Sequence, residues 1–244
     1  MSTALVVPCF NESARWNASY WGALFTLPGL SWLLVDDGST DDTYRVLDKH
    51  ASNNVSVLRL SHNAGKGEAV RQGLEVVARD AHDWVGFVDA DGAFKGEEIQ
   101  RFVALALRSE LSTQAVWSSR VRMRGRRIER SPSRHAVGRS IATALSVRYW
   151  ELPYDSQAGL KLFRNLPQLS ASLRRPFGTR WLFDVELYSR LEAQYGTGSQ
   201  WLWEEPLDSW QHIAGSKISL REIRRIPVEI MKLLTINHDR LGDR

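Results

Sequence analysis

The chain has 244 residues, of which 43% are hydrophobic and 25% charged, a composition typical of a folded globular protein. This composition excludes collagen-like, low-complexity and disordered chains, and no apolar run reaches the roughly 18–20 residues of a membrane-spanning helix. The N-terminal residues lack the basic segment of a signal peptide, and Pro8 interrupts their apolar run, so we expect a first strand there. The single cysteine, Cys9, excludes an intramolecular disulfide and fits a reducing compartment.

The positive charge of the chain is concentrated in one segment. The formal net charge is +4, but residues 118–139 contain eight arginines and one acid, Glu129, and so carry +7, which leaves −3 for the remainder. A local arginine cluster indicates an anionic partner such as phosphate, nucleic acid or a membrane surface. Nucleic acid is the least favoured of the three, because no aromatic residues are interleaved with the arginines.

Strand and helix patterns alternate along the first half of the chain. Short apolar runs predict four strands, at residues 5–7, 32–35, 55–60 and 84–88. Helical patterns run from Asn11 to Phe25, beyond a cap at Thr40 or Asp41, and from the Gly65 region to Val77. Continuous apolar strands separated by helices predict a parallel sheet covered on both faces, whose ligands bind beyond the carboxyl ends of the strands.

The second half shows less regular patterns. Three further strands and two helices are predicted, at residues 115–117, 159–163 and 201–203 and at residues 137–150 and 181–193. Residues 219–236 predict a basic, partly apolar helix that Pro227 interrupts. We therefore expect one domain over residues 1–217 and a C-terminal amphipathic helical extension over residues 218–244. That extension either lies in a membrane interface or packs on the domain.

Acidic residues follow two of the predicted strands. Asp89 and Asp91 flank Ala90 after the fourth strand, and such paired carboxylates are hard oxygen ligands that suit Mg²⁺ or Mn²⁺. Asp36 and Asp37 follow the second strand, where carboxylates can accept hydrogen bonds from a nucleobase or a ribose, although the same residue types make ordinary turns.

A glycine-rich segment, Gly65-Lys66-Gly67, lies at a predicted helix start. It lacks the residue spacing of a P-loop. Its backbone N–H groups and the Lys66 ammonium can still contact a nucleotide, and an ordinary helix start is the alternative interpretation.

Eight segments together resemble a known family. They are Val6–Glu12, Val35–Thr43, Asn63–Arg71, Asp89–Ala93, Ser118–Arg120, Asp155–Phe163, Arg180–Leu187 and Gly215–Lys217. In this order they resemble glycosyltransferase family 2, and within it the polyprenyl-phosphate hexosyltransferases, over the chain up to about residue 217. The motifs D-A-D-G-A and R-W-x-F-D-V-E are more similar to the dolichyl-phosphate glucosyltransferase branch than to the mannosyltransferase branch.

The resemblance implies an α/β fold of the GT-A type, with a Rossmann-like, mostly parallel sheet flanked by helices. It also implies metal-dependent, inverting transfer of a hexose from a nucleotide sugar to a polyprenyl phosphate at the cytosolic face of a membrane. UDP-glucose is the favoured donor and GDP-mannose the second. Expected cofactors are Mg²⁺ or Mn²⁺, and contact with the membrane is expected to be peripheral.

The resemblance also implies roles for individual residues. The base and ribose would contact residues at the first two strand ends, namely Pro8, Phe10, Glu12, Val35, Asp36 and Asp37. The metal and diphosphate would lie at Asp89, Ala90 and Asp91, with Lys66 nearby and Lys217 approaching from a loop. Arg120 and Arg134 would bind the acceptor phosphate, and Asp155 would lie beside the reacting sugar carbon.

Two departures from the family pattern and the missing membrane segment leave alternatives open. Phe10 stands where the family usually has Tyr, and Ala158 where Cys is common. The eukaryotic glucosyltransferases carry an N-terminal membrane anchor and some bacterial relatives carry C-terminal transmembrane helices, neither of which this sequence displays. Lipid contact would then fall to the basic loop, aromatic residues near Trp150 and the C-terminal helix. The alternatives are a soluble glycan or metabolite acceptor with the same fold, or a non-catalytic module that binds a nucleotide sugar or nucleic acid.

Overall fold

A seven-stranded sheet forms the centre of the protein. The computed structural model describes residues 2–129, 132–197, 200–211, 213 and 225–235, without the side chains of residues 132–137. The order across the sheet is β3-β2-β1-β4-β7-β5-β8. Its strands are β1 (Thr3–Cys9), β2 (Leu30–Asp36), β3 (Val55–Arg59), β4 (Trp84–Val88), β5 (Ala115–Ser119), β7 (Leu160–Arg164) and β8 (Leu202–Pro206). Two short strands, β6 (Arg127–Glu129) and β9 (Ser209–Gln211), pair in parallel as a separate sheet.

Helices cover both faces of the sheet. They are α1 (Ala18–Phe25), α2 (Thr43–Asp48), α3 (Lys66–Val77), α4 (Gly96–Arg108), α5 (Pro132–Ser146), α6 (Pro167–Leu173), α7 (Phe183–Tyr195) and α8 (Ile226–Thr235). The alternation of side chains along β1 separates two hydrophobic clusters: Leu5 and Val7 face one cluster, and Ala4 and Val6 face the other. None of the helices in the described part of the chain is long and apolar enough to cross a membrane.

The strand directions place several chain segments at one edge of the sheet. β1 to β4 are mutually parallel, whereas β7 is antiparallel to β4 and β5. The register pairs Val88 with Leu160, so the amino end of β7 lies beside the carboxyl end of β4. β5 ends at this same edge, and Arg120 follows it directly. The predicted mostly parallel sheet is confirmed, and this edge collects the residues from the acidic strand ends.

The predicted start of the first helix is wrong. α1 begins at Ala18, after Asn17 accepts a hydrogen bond from the Tyr20 N–H, and not at Asn11. Asn11 has a positive φ of 49°, and the Glu12 N–H donates to the Thr43 hydroxyl at 2.7 Å. Contacts with residues of the next β–α unit, which are distant in sequence, therefore hold this loop.

The cap of α2 also differs from the prediction. Asp42 occupies the cap position of α2, and the Asp41 carboxylate instead accepts a hydrogen bond from the Thr43 N–H. Pro227 lies in the first turn of α8, where its missing N–H costs no helical hydrogen bond. The predicted helical segment before it, residues 219–224, lies outside the described residues, so the interruption at Pro227 stays a prediction.

The C-terminal helix packs on the domain. Leu233 of α8 is fully buried in one of the two hydrophobic clusters, and the Tyr149 hydroxyl donates to its carbonyl oxygen at 2.9 Å. The predicted domain boundary between residues 217 and 218 lies outside the described residues and stays a prediction.

Candidate active site

Asp89 and Asp91 lie directly after β4, at the sheet edge described above. The Asp89 N–H donates to the Gly159 carbonyl at 2.9 Å, and Asp91 accepts from the Ala93 N–H at 3.0 Å. Burial raises the pKa of Asp91, and the neighbouring charge of Asp89 raises it further. Ala90, between them, packs partly against the core. The two carboxylates are thus close enough to repel each other, an arrangement that a cation would relieve.

Gly159 makes the position of the Asp89 carboxylate possible. A Cβ atom at residue 159 would lie 2.2 Å from both Cγ and Oδ2 of Asp89, far inside van der Waals contact. This glycine precedes β7, whose antiparallel direction brings it to the end of β4. The close backbone approach therefore requires a residue without a side chain.

Lys66 forms an ion pair with Asp89. Its Nζ atom lies 2.7 Å from Asp89 Oδ1, and Lys66 is the first residue of α3. Burial alone would lower the pKa of Lys66, but the charges of Asp89, Asp184 and Asp91 outweigh it and raise that pKa. Lys66 is thus fully charged at neutral pH and lies among three carboxylates.

A second pair of charges, Lys161 and Asp184, is buried beneath the first. Lys161 Nζ donates to Asp184 Oδ1 at 2.6 Å and to the Ala158 carbonyl at 2.5 Å. Burial lowers the pKa of Lys161 and raises that of Asp184, while each partner's charge works against the shift of the other. We did not predict this pair as part of the site, although one lysine within the apolar run of β7 is a signal that could have indicated it.

The two aspartates after β2 differ in their surroundings. Asp37 accepts hydrogen bonds from the Ala64 and Gly65 N–H groups, both at 2.8 Å, and from the Asn63 side chain at 3.1 Å, so it fixes the loop before α3. Burial raises its pKa, and these two N–H donors act against the shift. Asp36 Oδ1 accepts from the Ser39 N–H, whereas Oδ2 accepts no hydrogen bond and lies 3.4 Å from Arg59 Nε.

A cavity of about 370 Å³ lies next to these aspartates, lined by Gly38, Ser39, Arg59, Leu60 and Ser61. It opens beyond the carboxyl ends of β2 and β3, where sheets of this kind bind nucleotides.

The remaining residues predicted to surround the base and ribose have mixed surroundings. Pro8 and Phe10 are half-buried at the end of β1. Glu12 is buried and pairs with Arg15 at 2.6 Å, and the side chain of Val35 lies in the core.

Arg120 and Asp155, predicted for acceptor binding and for the reacting centre, form one buried ion pair. Arg120 Nε donates to Asp155 Oδ2 at 2.7 Å, and Nη2 donates to Oδ1 at 2.8 Å. Asp155 also accepts the Arg120 backbone N–H at 3.0 Å, and its own N–H donates to Glu204. Burial alone would lower the pKa of Arg120, but the charge of Asp155 outweighs it and raises that pKa.

Two predicted site residues cannot be placed. Lys217 lies outside the described residues. Arg134 belongs to α5, but its side chain is also outside the description. Their predicted roles stay predictions.

The donor set of the site fits a divalent cation. Asp89 and Asp91 offer hard oxygen ligands, and the partner of the buried Oδ1 of Asp89 is the ammonium of the flexible Lys66 side chain. Within the described ranges no group of three or more His, Cys, Asp or Glu side chains could hold a metal. A cation at this edge would therefore take two carboxylates from the described chain and complete its shell with phosphate oxygens and water.

Comparison with known proteins agrees with this geometry. The family model described as "Glycosyl transferase family 2" matches residues 4–188, which include the sheet edge and both acidic motifs. The chain belongs to this family. It is accordingly a glycosyltransferase, as predicted from the sequence.

Two curated relatives and one solved structure illustrate the similarity. The dolichyl-phosphate β-glucosyltransferase of Saccharomyces cerevisiae is 27% identical over 89% of this chain and 69% of its own length. The human enzyme of that name is 29% identical over 75% of this chain, which spans 61% of it. Glucosyl-3-phosphoglycerate synthase from Mycobacterium tuberculosis, solved with Mn²⁺, UDP and glucosyl-3-phosphoglycerate, is 18% identical with a TM-score of 0.68, covering 96% of this chain and 78% of that one. The predicted GT-A fold is confirmed.

Proposed function

We propose that this protein transfers a hexose, with glucose favoured, from a nucleotide sugar to a polyprenyl phosphate with inversion at the sugar carbon. The observation that carries the proposal is the meeting of two charge systems at one sheet edge. Asp89, Asp91 and Lys66 form the first system, and the Arg120–Asp155 pair forms the second. The relatives named for transfer of glucose to dolichyl phosphate support glucose as the sugar.

On the donor side, the chain offers groups for each part of UDP-glucose. Asp36 Oδ2, which is ion-paired with Arg59 at 3.4 Å, and the Arg59 guanidinium beside the cavity suit the N–H and carbonyl groups of a base. Asp89 and Asp91 would hold Mg²⁺ or Mn²⁺, which supplies Lewis-acid stabilisation of the diphosphate as it leaves. Lys66, whose ammonium contacts Asp89, would add a second positive charge beside the diphosphate.

On the acceptor side, Asp155 holds Arg120 in a fixed orientation. A guanidinium has five N–H donors, and Asp155 engages one on Nε and one on Nη2. The other three can bind oxygens of a phosphate, which arginine recognises through its planar fork. A phosphate monoester is already anionic at neutral pH, so the attack needs no strong general base. Asp155 therefore acts as an orienting group and as a negative charge near the positive sugar carbon.

For the lipid part of the acceptor, exposed apolar side chains offer a membrane contact. Val147 and Trp150, just after α5, are 88% and 89% exposed, and Val228 and Met231 on α8 are 58% and 60% exposed. Tryptophan favours the boundary between lipid and water. Basic residues near an anionic surface add about 1 kcal/mol each, which suits the arginine-rich segment. We therefore propose peripheral contact with the cytosolic face of a membrane.

The direct test is a transfer assay with matched acceptors. Purified protein is given radiolabelled UDP-glucose or GDP-mannose, a divalent cation, and either a short polyprenyl phosphate, the corresponding polyprenol, or 3-phosphoglycerate. We expect label in the lipid fraction only with the phosphorylated lipid, and more from UDP-glucose than from GDP-mannose. Transfer to 3-phosphoglycerate with none to the lipid would contradict the acceptor assignment and favour a soluble acceptor.

A further inference from the structure

The Lys66 ammonium lies beside one of the two carboxylates proposed to bind the cation. It contacts Asp89 Oδ1 at 2.7 Å, and the charges of Asp184 and Asp91 also act on it. Asp89 Oδ1 is buried, and the ion pair with Lys66 compensates its charge. A divalent cation bound to Asp89 would contact this oxygen atom or lie close to it, and would therefore compete with the Lys66 ammonium.

The two lysines near the site differ in their freedom to move. Lys161 is fully buried and is fixed by Asp184 and by the Ala158 carbonyl. The Lys66 side chain is 36% exposed, and the side chain of Asp89 is 27% exposed. A lysine has a flexible four-carbon stem, so the Lys66 ammonium can leave Asp89 without unfolding α3, whereas the Lys161 ammonium cannot leave Asp184.

We propose that Lys66 holds Asp89 in place of the cation in the resting protein and exchanges this partner for the donor diphosphate when cation and nucleotide bind. The inference rests on the proposed function, because it takes Asp89 as a cation ligand and a nucleoside diphosphate as the donor's leaving group. Without nucleotide, the cation must displace Lys66, whose charge then has no new partner. With nucleotide, the phosphate oxygens accept the released ammonium.

It follows that cation and nucleotide bind cooperatively. Because coupling between two ligands is reciprocal, the cation strengthens nucleotide binding by the same factor as the nucleotide strengthens cation binding. Part of this increase in affinity comes from breaking the ion pair between Lys66 and Asp89. Loss of the Lys66 charge should therefore change the two affinities in opposite directions.

The test is Mn²⁺ binding, measured by titration calorimetry or by the spectroscopic signal of free Mn²⁺, with and without UDP. In the absence of UDP, Lys66→Gln should bind Mn²⁺ about five- to tenfold more tightly than the wild type, the size expected for one partly exposed ion pair and one removed positive charge. At saturating Mn²⁺ the same variant should bind UDP more weakly. Lys49→Gln, at the exposed C-cap residue of α2 and away from the site, is the matched control and should change neither affinity.

Two outcomes would overturn the inference. Unchanged or weaker Mn²⁺ binding by Lys66→Gln without UDP would show that Lys66 does not compete with the cation. A general loss of both affinities, with a lower melting temperature, would indicate a merely structural role. Asp89→Asn separates this inference from the proposed function. If it abolishes Mn²⁺ binding, the cation site stands whatever Lys66→Gln does; if it leaves Mn²⁺ binding intact, the cation site and the Lys66 exchange both fall.

Discussion

The contact between Asp89 and Gly159 joins the two strands that carry the reacting groups. The Asp89 carboxylate lies against the backbone of Gly159, where any Cβ would approach it to 2.2 Å. Four residues before Gly159 lies Asp155, which holds Arg120. The position of a single glycine therefore affects both the cation side and the acceptor side of the site.

Gly159→Ala should move the Asp89 carboxylate and lower cation-dependent transfer at least about tenfold. It should also lower the free energy of unfolding by about 1–3 kcal/mol, as is usual for overpacking. Activity against cation concentration and urea unfolding measure the two effects. The control is Gly22→Ala in α1, where an added Cβ meets no atom within 4 Å and should be neutral or slightly stabilising. Wild-type activity of Gly159→Ala at low cation concentration would contradict the packing argument.

The Asp41 carboxylate is expected to contribute to the free energy of unfolding in a pH-dependent way. Burial alone would raise its pKa, but hydrogen bonds from Thr43 and Ser13 to the carboxylate outweigh it and lower the pKa below its usual range. A carboxyl group whose pKa is lower in the folded than in the unfolded protein stabilises the folded protein at pH values above its unfolded-state pKa. This stabilisation disappears as the pH falls through the lower, folded-state pKa.

Asp41→Asn should therefore lower the free energy of unfolding at pH 7, and the difference from wild type should shrink in acid. Denaturant unfolding at several pH values measures this. Asp42→Asn is the neighbouring control, since Asp42 caps α2 without a side-chain hydrogen bond. A difference that is constant with pH would be evidence against the charge as its cause.

At the scale of elements, α8 stabilises the start of α7 through one side chain. Glu229 is buried and accepts the backbone N–H groups of Arg180, Trp181 and Leu182 at 3.1, 2.9 and 2.9 Å. Leu182 is the N-cap residue of α7, and Arg180 and Trp181 form the segment that leads into this helix. Arg180 in turn contacts Asn63, in the loop that leads to Lys66. The C-terminal helix is thereby connected to the donor side of the site.

Glu229→Ala should leave these three N–H groups without their acceptor. We expect a loss of about 1–3 kcal/mol in the free energy of unfolding and weaker UDP binding at saturating Mn²⁺. Met231→Ala, on the exposed side of the same helix, should change neither quantity. If Glu229→Ala lowers stability but leaves UDP affinity unchanged, α8 only stabilises α7 and does not position the donor loop.

Sequence patterns predicted the elements whose signal is local. Four continuous apolar runs predicted β1 to β4, and the acidic residues after β2 and β4 lie at one edge of the sheet, as expected. The direction of β7 was not predictable, because an apolar run has the same composition in a parallel and an antiparallel strand. The short strands β6 and β9 carry too few residues for a periodic signal.

Interactions between distant residues explain the remaining differences. Arg120 and Asp155 were both predicted as site residues, but their pairing joins positions 35 residues apart and depends on the fold. The contacts of Glu229 with the start of α7 span 47 to 49 residues. The first helix starts late because Thr43, 31 residues away, binds the Glu12 N–H. No local pattern contains this information.

At the scale of the whole molecule, exposed apolar residues indicate which surface would meet a membrane. Trp150 and Leu111 are almost equally exposed, at 89% and 86%, but Leu111 lies before β5 and therefore at the opposite end of the sheet from the site. Trp150 lies five residues before Asp155 on the acceptor side. The two residues are a matched pair for a membrane-binding experiment.

Trp150→Ser should lower the fraction of protein that floats with anionic liposomes, whereas Leu111→Ser should not. High salt should weaken flotation of the wild type further, because arginine contacts with anionic headgroups are screened. Flotation of Trp150→Ser equal to the wild type would contradict the proposed membrane surface.

The most direct test of the central claim is lipid-extractable radioactivity formed from labelled UDP-glucose and a polyprenyl phosphate, compared between wild type and Asp91→Ala. We predict transfer by the wild type that requires both the divalent cation and the lipid phosphate, and loss of transfer in the variant with an unchanged melting temperature. Equal transfer by a folded Asp91→Ala protein, or transfer that persists in excess chelator, would contradict the account.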